Sequence, residues 1–257
     1  MSAVVPPKNP ATRRVLGVEF FNGALGDALE TALAGGLMVV PSGPGLATDL
    51  VRSAEYREAL MTADLVLTDS GFMVLLWRLF TRDKLPRNSG LAFIRALLRR
   101  DDLKAPGAIF WVMPSPSEAL RNKNWLNANG FSVTDADIYV APHYGKGGIR
   151  DEALLERLNA RAPRVVLLAV GGGVQERLGN YLRNNLAGRP AILCLGAAIA
   201  FVTGGQAAIP VWADRLCLGW LLRILRNPRR YWRRYRDAFR LAPLLWKYRD
   251  NPPPGWF

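Results

Sequence analysis

The sequence is poor in the side chains that build metal centres and disulfide frameworks. Its 257 residues include one histidine, His143, and two cysteines, Cys194 and Cys217. Because the chain has no CxxC motif and no carboxylate or cysteine at ligand spacing from His143, we expect no metal site and no cofactor. Two isolated cysteines favour a reducing compartment. The absence of HExxH and GxSxG motifs leaves protease and hydrolase functions without specific support.

Two further absences concern membranes. Residues 1–8 contain no apolar stretch of the kind that a signal peptide carries, so we expect none. Residues 190–213 contain no charged residue, and a segment of that length could span a bilayer. Prolines and glycines interrupt it, however. We therefore interpret Ala191–Phe201 as a buried strand and its approach to a turn, followed by a loop, rather than as a transmembrane helix.

Positive charge is concentrated at the C-terminal end of the chain. Residues 215–257 hold 11 Lys and Arg against 2 Asp and Glu, a net charge of +9 out of +13 for the whole sequence. Such a localised charge predicts an anionic partner that meets this end of the molecule.

The same region has helical order from Asn227, a suitable N-cap, and Pro228, which suits the first helical position. Helical spacing gathers arginines on one face and aromatic residues on the other. The pattern predicts a basic amphipathic helix that lies on an anionic membrane surface, binds nucleic acid, or packs as an ordinary solvated helix. The arginines are Arg229, Arg233, Arg236 and Arg240, and the aromatics are Tyr231, Trp232, Tyr235 and Phe239.

Apolar runs alternate with helical stretches along the rest of the chain, and several of the runs are continuous and β-branched, as in strands covered on both faces. This order predicts crossover units and a mostly parallel sheet. The strand candidates are Val15–Phe20, Leu37–Val40, Leu65–Leu67, Ala108–Val112, Ile138–Ala141, Val165–Val170 and Ala191–Leu195. The helix candidates are Gly26–Ala34, Gly45–Met61, Phe72–Phe80, Leu91–Arg99, Pro116–Ala128, Arg150–Ala160 and Gln175–Leu186.

We therefore predict an α/β fold with a Rossmann-like, mostly parallel sheet, helices on both faces and a basic amphipathic C-terminal helical appendage. The expected division is a core over residues 1–214, a membrane-docking appendage over 215–250 and a disordered tail over 251–257. In an open parallel sheet, ligands bind beyond the carboxyl ends of the strands. Four loops follow strand candidates in this way: Pro41–Gly45, Thr68–Gly71, Ala141–Gly148 and Gly171–Glu176.

Asp69 is the first candidate for chemistry, because it follows a strand candidate and precedes a helix candidate. Its carboxylate could act as a general base on a hydroxyl nucleophile. The alternative is that Asp69 is the N-cap of the next helix, which is the commoner role for an aspartate in this position.

Three other elements could contact a ligand. Gly171 to Glu176 form a glycine-rich strand-to-helix turn whose amides could hold a phosphate, or which packs tightly for structural reasons alone. Gln175 could hydrogen-bond a base or a sugar. Arg87 could hold a phosphate or carboxylate from a loop before a helix, and His143 could contact substrate, although either could equally be a surface side chain.

The order of these motifs resembles that of the WecG/TagA/CpsF family of bacterial glycosyltransferases, family 26, from about Val15 to Tyr235. The C-terminal block is the most specific, since its tryptophan, arginines and proline keep their spacing. The matching blocks are Val15–Val18, Ala63–Gly71 (family "ADLVLPDG"), Pro86–Gly90 ("R-x-x-G"), Gly171–Glu176 ("G-x-P-K-Q-E"), and Trp220–Arg223 with Asn227–Arg230 and Arg233-Arg234 ("EW-x-x-RL…P-x-R…RR").

The resemblance implies an inverting, metal-independent hexosyltransferase in cell-surface polysaccharide synthesis. Its partners would be a UDP-sugar, a polyprenyl-diphosphate-linked saccharide and an anionic membrane surface, at the cytoplasmic face of the inner membrane. Asp69 would be the base. The donor-binding residues would be Gly171, Gly172, Gln175, Glu176, Arg87 and His143, and the diphosphate would be held by Arg223, Arg230 and Arg233.

The sequence departs from the family pattern at several positions, which leaves a distinct subfamily or a catalytically inactive scaffold open. A nucleic-acid binder is a further alternative, but no recognition-module signature supports it, and we expect no nucleic-acid partner. A homo-oligomer is also left open. The departures are Pro41 and Gly43 in the family's "T-x-N", Gly173 and Val174 for its proline and lysine, Gly219 for an acidic residue and Ala200 for an aspartate.

Overall fold

A computed structural model of the chain describes residues 11–206, 225 and 236–253. Its first element is an antiparallel hairpin of β1, Thr12–Val15, and β2, Val18–Phe21. The chain reverses at Leu16 and Gly17, whose φ angles of 50° and 80° are those of the tight turn that suits a two-residue hairpin loop. The predicted single strand Val15–Phe20 is therefore wrong. Leucine rarely adopts a positive φ, so this turn lacks the usual sequence signal.

The remaining strands of the described residues form one parallel sheet of six, in the spatial order β4-β3-β8-β7-β5-β6. Every neighbouring pair is parallel, which confirms the predicted α/β class. The strands are β3 Gly36–Val39, β4 Leu65–Val66, β5 Ile109–Met113, β6 Ile138–Val140, β7 Val165–Leu168 and β8 Ala191–Cys194.

Helices cover both faces of this sheet. Successive residues of a strand point to opposite faces, so a strand that is covered on both sides contributes to two buried clusters. Leu37 and Val39 belong to one buried cluster, and Met38 and Val40 belong to the other. The helices are α1 Leu25–Leu33, α2 Leu50–Arg52, α3 Ala54–Thr62, α4 Gly71–Thr81, α5 Gly90–Leu97, α6 Pro116–Ala128, α7 Glu152–Arg161, α8 Val174–Asn185 and α9 Ala198–Val202.

Hydroxyl and carboxylate caps fix where most of these helices begin. The Oγ atoms of Ser70 and Ser89 accept hydrogen bonds from backbone N–H groups in the first turns of α4 and α5, at 3.2 and 3.1 Å. Ser53 does the same for α3 and adopts an extended backbone. That conformation interrupts the single helix predicted over Gly45–Met61. The structure instead has a five-residue π-helix, Gly45–Asp49, followed by α2 and α3.

The charge-free segment over residues 190–213 begins with β8 and continues into the short helix α9. The strand interpretation is correct as far as Cys194, but α9 replaces the predicted turn and loop, and residues 207–213 lie outside the described part. Among the residues that the structure describes, no helix combines the length and the apolar character needed to cross a bilayer.

The C-terminal segment packs on the core through the C-terminal helix, Leu241–Tyr248. Leu241 and Leu245 are 0% and 1% exposed and belong to the same buried cluster as the residues of α4. Beyond this helix, the carbonyl groups of Arg249 and Asp250 accept hydrogen bonds from the N–H groups of the β1–β2 turn, at 2.7 and 3.0 Å. The division of the chain at residue 214 remains a prediction, but truncation there would remove these contacts from the core.

Candidate active site

The carboxyl ends of all six parallel strands lie at one edge of the sheet, where the four candidate loops begin. The loops after β4, β3 and β7 come from strands that lie close together in the spatial order. The loop after β6 begins at the opposite border of the sheet from β4. With about 4.8 Å between neighbouring strands, five strand spacings separate the two borders by about 24 Å. The loops after β4, β3 and β7 therefore begin as one group, and the loop after β6 reaches it only by crossing the edge of the sheet.

Asp69 lies in the loop between β4 and α4, with its side chain partly buried. Its Oδ1 accepts a hydrogen bond from the backbone N–H of Gly90, the first residue of α5, at 3.0 Å. No further hydrogen bond reaches Oδ2 from residues 11–206 or 236–253. The N-cap of α4 is Ser70, so the alternative role of Asp69 as the cap of the next helix is wrong.

The loop before α5 is fastened to the Asp69 loop through several contacts. Arg87 Nε donates to the backbone carbonyl of Asp69 at 2.9 Å. Thr68 is fully buried, and its hydroxyl donates to the carbonyl of Pro86. The loop before α5 is also held to the segment between β2 and α1, since Asn88 Nδ2 donates to the carbonyl of Gly23 at 3.1 Å. The structure thus brings Arg87 beside Asp69, as the sequence predicts for residues of one site, and holds both loops in a fixed relative position.

The loop after β3 lies against both of its neighbours. A Cβ atom added at Gly43 would lie 2.8 Å from Ser70 Oγ, which is too close for a real contact. A Cβ atom added at Gly172 would lie 3.8 Å from Ser42 Oγ, an ordinary contact distance. Gly43 stands where the family pattern has asparagine, and the space that such a side chain would enter is occupied by Ser70.

The glycine-rich turn after β7 leads directly into α8. Gly173 is the residue before the helix and has a φ of 84°, which a side chain would strain. Its N–H donates to Glu176 Oε2 at 2.7 Å, so the helix closes its own first turn with a carboxylate. A Cβ atom at Gly171 would meet no atom within 4 Å. The N–H groups of Val174 and Gln175 donate to the carbonyl of Gly171, at 3.2 and 3.1 Å. What the turn offers an anionic ligand is therefore the exposed backbone of Gly171 and Gly172.

A buried polar group lies directly beneath this turn. Glu176 and Gln175 are 1% and 4% exposed, and Gln175 Nε2 donates to Glu176 Oε1 at 3.1 Å. Burial raises the pKa of the Glu176 carboxyl to about 7. Burial also raises the pKa of the Tyr56 hydroxyl and of the Cys194 thiol, with the charge of Glu176 as a further cause. The hydroxyl of Tyr56 and Gln175 Oε1 have no hydrogen-bond partner in the described chain.

His143 lies in the exposed loop after β6, and no contact joins it to Asp69 within the described residues. Arg177, on the first turns of α8, holds this loop. Its Nε donates to the carbonyl of Gly173 at 2.8 Å, and its terminal nitrogens donate to the carbonyls of Gly145, at 3.1 Å, and Gly147. The guanidinium therefore joins the His143 loop to the glycine-rich turn. The sequence analysis missed this residue, since a helix arginine carries no signal of a backbone contact so distant in sequence.

The three appendage arginines, Arg223, Arg230 and Arg233, lie outside the described residues. The predicted amphipathic pattern reaches the described part at Arg236, Phe239 and Arg240. The two arginine side chains are exposed, whereas the ring of Phe239 meets that of Phe72 on α4 edge to face, with centroids 5.4 Å apart. A Cβ atom at Gly43 would also lie 4.0 Å from the Cβ of Ala238. The C-terminal segment thus borders the group of loops that contains Asp69.

Comparison with known proteins gives a match over nearly all of the chain. The family model described as "Glycosyl transferase WecG/TagA/CpsF family" matches residues 13–253. This range includes the three grouped loops, the His143 loop and the C-terminal helix.

Two curated proteins from Bacillus are similar to the chain at low identity. One, from Bacillus spizizenii (strain ATCC 23059 / NRRL B-14472 / W23), is 23% identical over 205 residues, which cover 77% of this chain and 74% of the relative. The other, from Bacillus subtilis (strain 168), is 24% identical over 218 residues, which cover 84% and 81%. Both are named N-acetylglucosaminyldiphosphoundecaprenol N-acetyl-beta-D-mannosaminyltransferase.

Proposed function

The chain belongs to the WecG/TagA/CpsF family of glycosyl transferases, and from that premise we propose the reaction that it catalyses. It transfers a hexose, N-acetylmannosamine or a related sugar, from a UDP-sugar to a polyprenyl-diphosphate-linked saccharide in the synthesis of a cell-surface polysaccharide. The names of both Bacillus relatives support the class of acceptor and the kind of sugar.

The observation that carries the proposal is the position of Asp69. Its Oδ1 is occupied by the Gly90 N–H, which orients the carboxylate, while Oδ2 accepts nothing from the described residues. A general base needs this combination of a fixed orientation and an oxygen available for the proton. The loop that carries the acid packs against the loop after β3, which in turn contacts the loop after β7, at the edge of a parallel sheet where nucleotides bind.

The proposed reaction is a single displacement with inversion. The acceptor hydroxyl attacks the anomeric carbon as Asp69 Oδ2 takes its proton, and the bond between that carbon and the UDP oxygen breaks. UDP leaves with the electron pair. General-base assistance of this kind is typically worth about 10²–10⁴ in rate.

The leaving diphosphate needs positive charge or N–H donors on its other side. The exposed backbone of the turn at Gly171 and Gly172 is suited to this task. We assign the appendage arginines Arg223, Arg230 and Arg233 to the acceptor or donor diphosphate, since a guanidinium pairs with phosphate oxygens in two places. Arg230→Ala and Arg233→Ala should therefore lower turnover.

The protein would act at the cytoplasmic face of the inner membrane as a peripheral protein. Support comes from the net charge of +9 over residues 215–257 and from the lipid named in both relatives. A catalytically inactive scaffold is the alternative, because Pro41 and Gly43 stand where the family has polar side chains. Calorimetry with UDP separates the two functions, since a scaffold that has lost its donor site should bind no nucleotide.

A donor screen tests the proposal directly. The purified protein is incubated with a panel of UDP-sugars and a short-chain polyprenyl-diphosphate saccharide, and products are followed by mass spectrometry. Transfer from at least one UDP-hexose with release of UDP is the expected result. UDP binding without transfer to any acceptor would point to another acceptor class, and the absence of both would contradict the proposal.

A further inference from the structure

Helix α4, which begins directly after the Asp69 loop, presents apolar side chains to solvent. Leu75 is 42% exposed and Leu79 is 71% exposed, although leucine is usually buried. The opposite face of α4 is well packed, with Met73 and Trp77 at 0% and 1% exposure. The exposure of the two leucines is therefore a property of one face and does not reflect a loosely packed helix.

This exposed face continues onto the C-terminal helix. Phe80 on α4 meets Trp246 edge to face, with ring centroids 5.3 Å apart. Trp246 is itself 62% exposed. Phe72 and Phe239 make the corresponding contact toward the start of α4, and Phe239 is 47% exposed. We call Leu75, Leu79, Phe239 and Trp246 the two-helix apolar surface.

Cationic side chains border the two-helix apolar surface. Arg78 follows Leu75 by three residues on the exposed side of α4, and the exposed Arg82 directly follows the last residue of the helix. Lys84 follows two residues later, and Lys247 is adjacent to Trp246 in the C-terminal helix. The acidic residue within this stretch, Asp83, is paired with Arg13.

We propose that the two-helix apolar surface is a membrane-insertion site, in which Leu79 and Trp246 enter the boundary between headgroups and acyl chains of an anionic bilayer. This inference rests on the proposed function, because it supplies the way in which the enzyme meets a lipid-linked acceptor. It extends membrane docking from the appendage to α4, a helix of the catalytic core.

The chemistry of the surface fits a bilayer better than a protein partner. Helices that lie in the plane of the membrane interface combine leucine and tryptophan with lysine and arginine, and their aromatic rings lie at headgroup depth. The cations complement anionic headgroups.

The position of α4 gives the insertion a functional consequence. The helix begins at Gly71, two residues after Asp69, and a rise of 1.5 Å per residue places Leu79 about 12 Å along its axis from Gly71. A membrane that holds Leu79 therefore also holds the Asp69 loop close to the headgroups. That is where the diphosphate of a polyprenyl-linked saccharide lies.

Vesicle binding of full-length variants tests the proposal. Leu79→Ser and Trp246→Ser should each lower co-sedimentation with phosphatidylglycerol–phosphatidylcholine vesicles at least about fivefold, as expected when a large apolar side chain is removed from the bilayer boundary. Leu120→Ser is the matched control. Leu120 is 61% exposed on α6, which packs on the opposite face of the sheet, and its replacement should leave binding unchanged. Thermal unfolding should be similar in all variants, because the replaced side chains are exposed.

Activity measurements separate this proposal from the proposed function. Leu79→Ser should lower turnover on vesicle-embedded acceptor, relative to turnover on a short-chain acceptor in solution, by about fivefold. Vesicle binding equal to the wild type in both Leu79→Ser and Trp246→Ser would overturn the insertion site, whether or not the enzyme is active. The insertion site would also be overturned if the wild type formed concentration-dependent dimers that both variants abolish, because a second copy of the chain would then cover this surface. Loss of vesicle binding in a protein that transfers no sugar would uphold the insertion site and contradict only the enzymatic assignment.

Discussion

Asp69 Oδ1 accepts a hydrogen bond from the N–H of Gly90, the first residue of the helix that follows the next loop. The carboxylate is therefore oriented by α5, a helix 21 residues further along the chain. Gly90 is also close to β3 and α9, since a Cβ atom added there would lie 3.4 Å from Val40 and 3.8 Å from Ala198. One contact thus fixes the position of the proposed base relative to β3 and α9.

Gly43 and Ser70 should be energetically coupled. Gly43→Ala alone places a methyl group 2.8 Å from Ser70 Oγ and should lower the free energy of unfolding by about 1–2 kcal/mol. Ser70→Ala removes the α4 cap and should cost about 1 kcal/mol. In the double variant the obstructing oxygen is gone, so its cost should be close to that of Ser70→Ala alone.

Urea unfolding of the four proteins in this cycle measures the coupling directly. The expected interaction is about 1 kcal/mol in favour of the double variant. Strict additivity of the two single costs would show that the loop after β3 can move away from Ser70, and the two loops would then not be rigidly packed.

The buried Glu176 should make stability depend on pH. Its pKa is raised from 4.5 to about 7, so between these values the folded state holds a proton that the unfolded state has released. Stability contributed by the neutral acid is therefore fully present below about pH 4.5 and is lost as the pH rises toward and past 7. At 1.36 kcal/mol per pKa unit, the loss is up to about 3 kcal/mol.

The variant Glu176→Gln tests this dependence, because the amide cannot ionise and its oxygen can still accept the Gly173 N–H. Unfolding free energies at pH 5, 6, 7 and 8 should fall more steeply in the wild type than in the variant. Parallel curves would show that another group is responsible for any pH dependence.

Arg177 should control the mobility of the loop that carries His143. A lysine at this position keeps the charge but cannot reach the carbonyls of Gly145, Gly147 and Gly173 together. Amide hydrogen exchange over residues 142–148 should therefore become at least about fivefold faster in Arg177→Lys. Arg183→Lys on the same helix is the control, since Arg183 pairs with Asp64 at 3.2 Å and should leave this loop unaffected. Equal exchange in both variants would contradict the assigned role.

Much of the fold was predictable because the strands are continuous apolar runs and the helices begin at clear caps. Pro116–Ala128 was predicted with the observed bounds, since Ser115 and Pro116 form a strong start signal. The hairpin turn at Leu16 escaped prediction because it depends on contacts with Arg249 and Asp250, more than 230 residues away in the sequence. A local sequence pattern does not indicate such a tertiary contact.

The site was predictable as a set of loops but not as a set of contacts. The rule for parallel sheets identified the loops that contain Asp69 and Gly171. It could not show that Ser70 would cap α4 while Asp69 accepts a hydrogen bond from the first residue of α5, since both residues are good caps. Nor could it show that the His143 loop begins at the far border of the sheet and is joined to the glycine-rich turn by Arg177, because strand order and such contacts are set by packing of the whole chain.

The central claim is that Asp69 is the base for sugar transfer, and a pair of isosteric variants on the two sides of β4 tests it most directly. Asp69→Asn keeps an oxygen for the Gly90 N–H but cannot take a proton, whereas Asp64→Asn affects an acid whose charge pairs with Arg183 and Arg189 on the other side of the strand. Turnover is measured for both with the UDP-sugar and short-chain acceptor found by the donor screen. The account predicts a loss of about 10²–10⁴ in kcat for Asp69→Asn and near-normal turnover for Asp64→Asn. Near-normal turnover in a folded Asp69→Asn protein would contradict it.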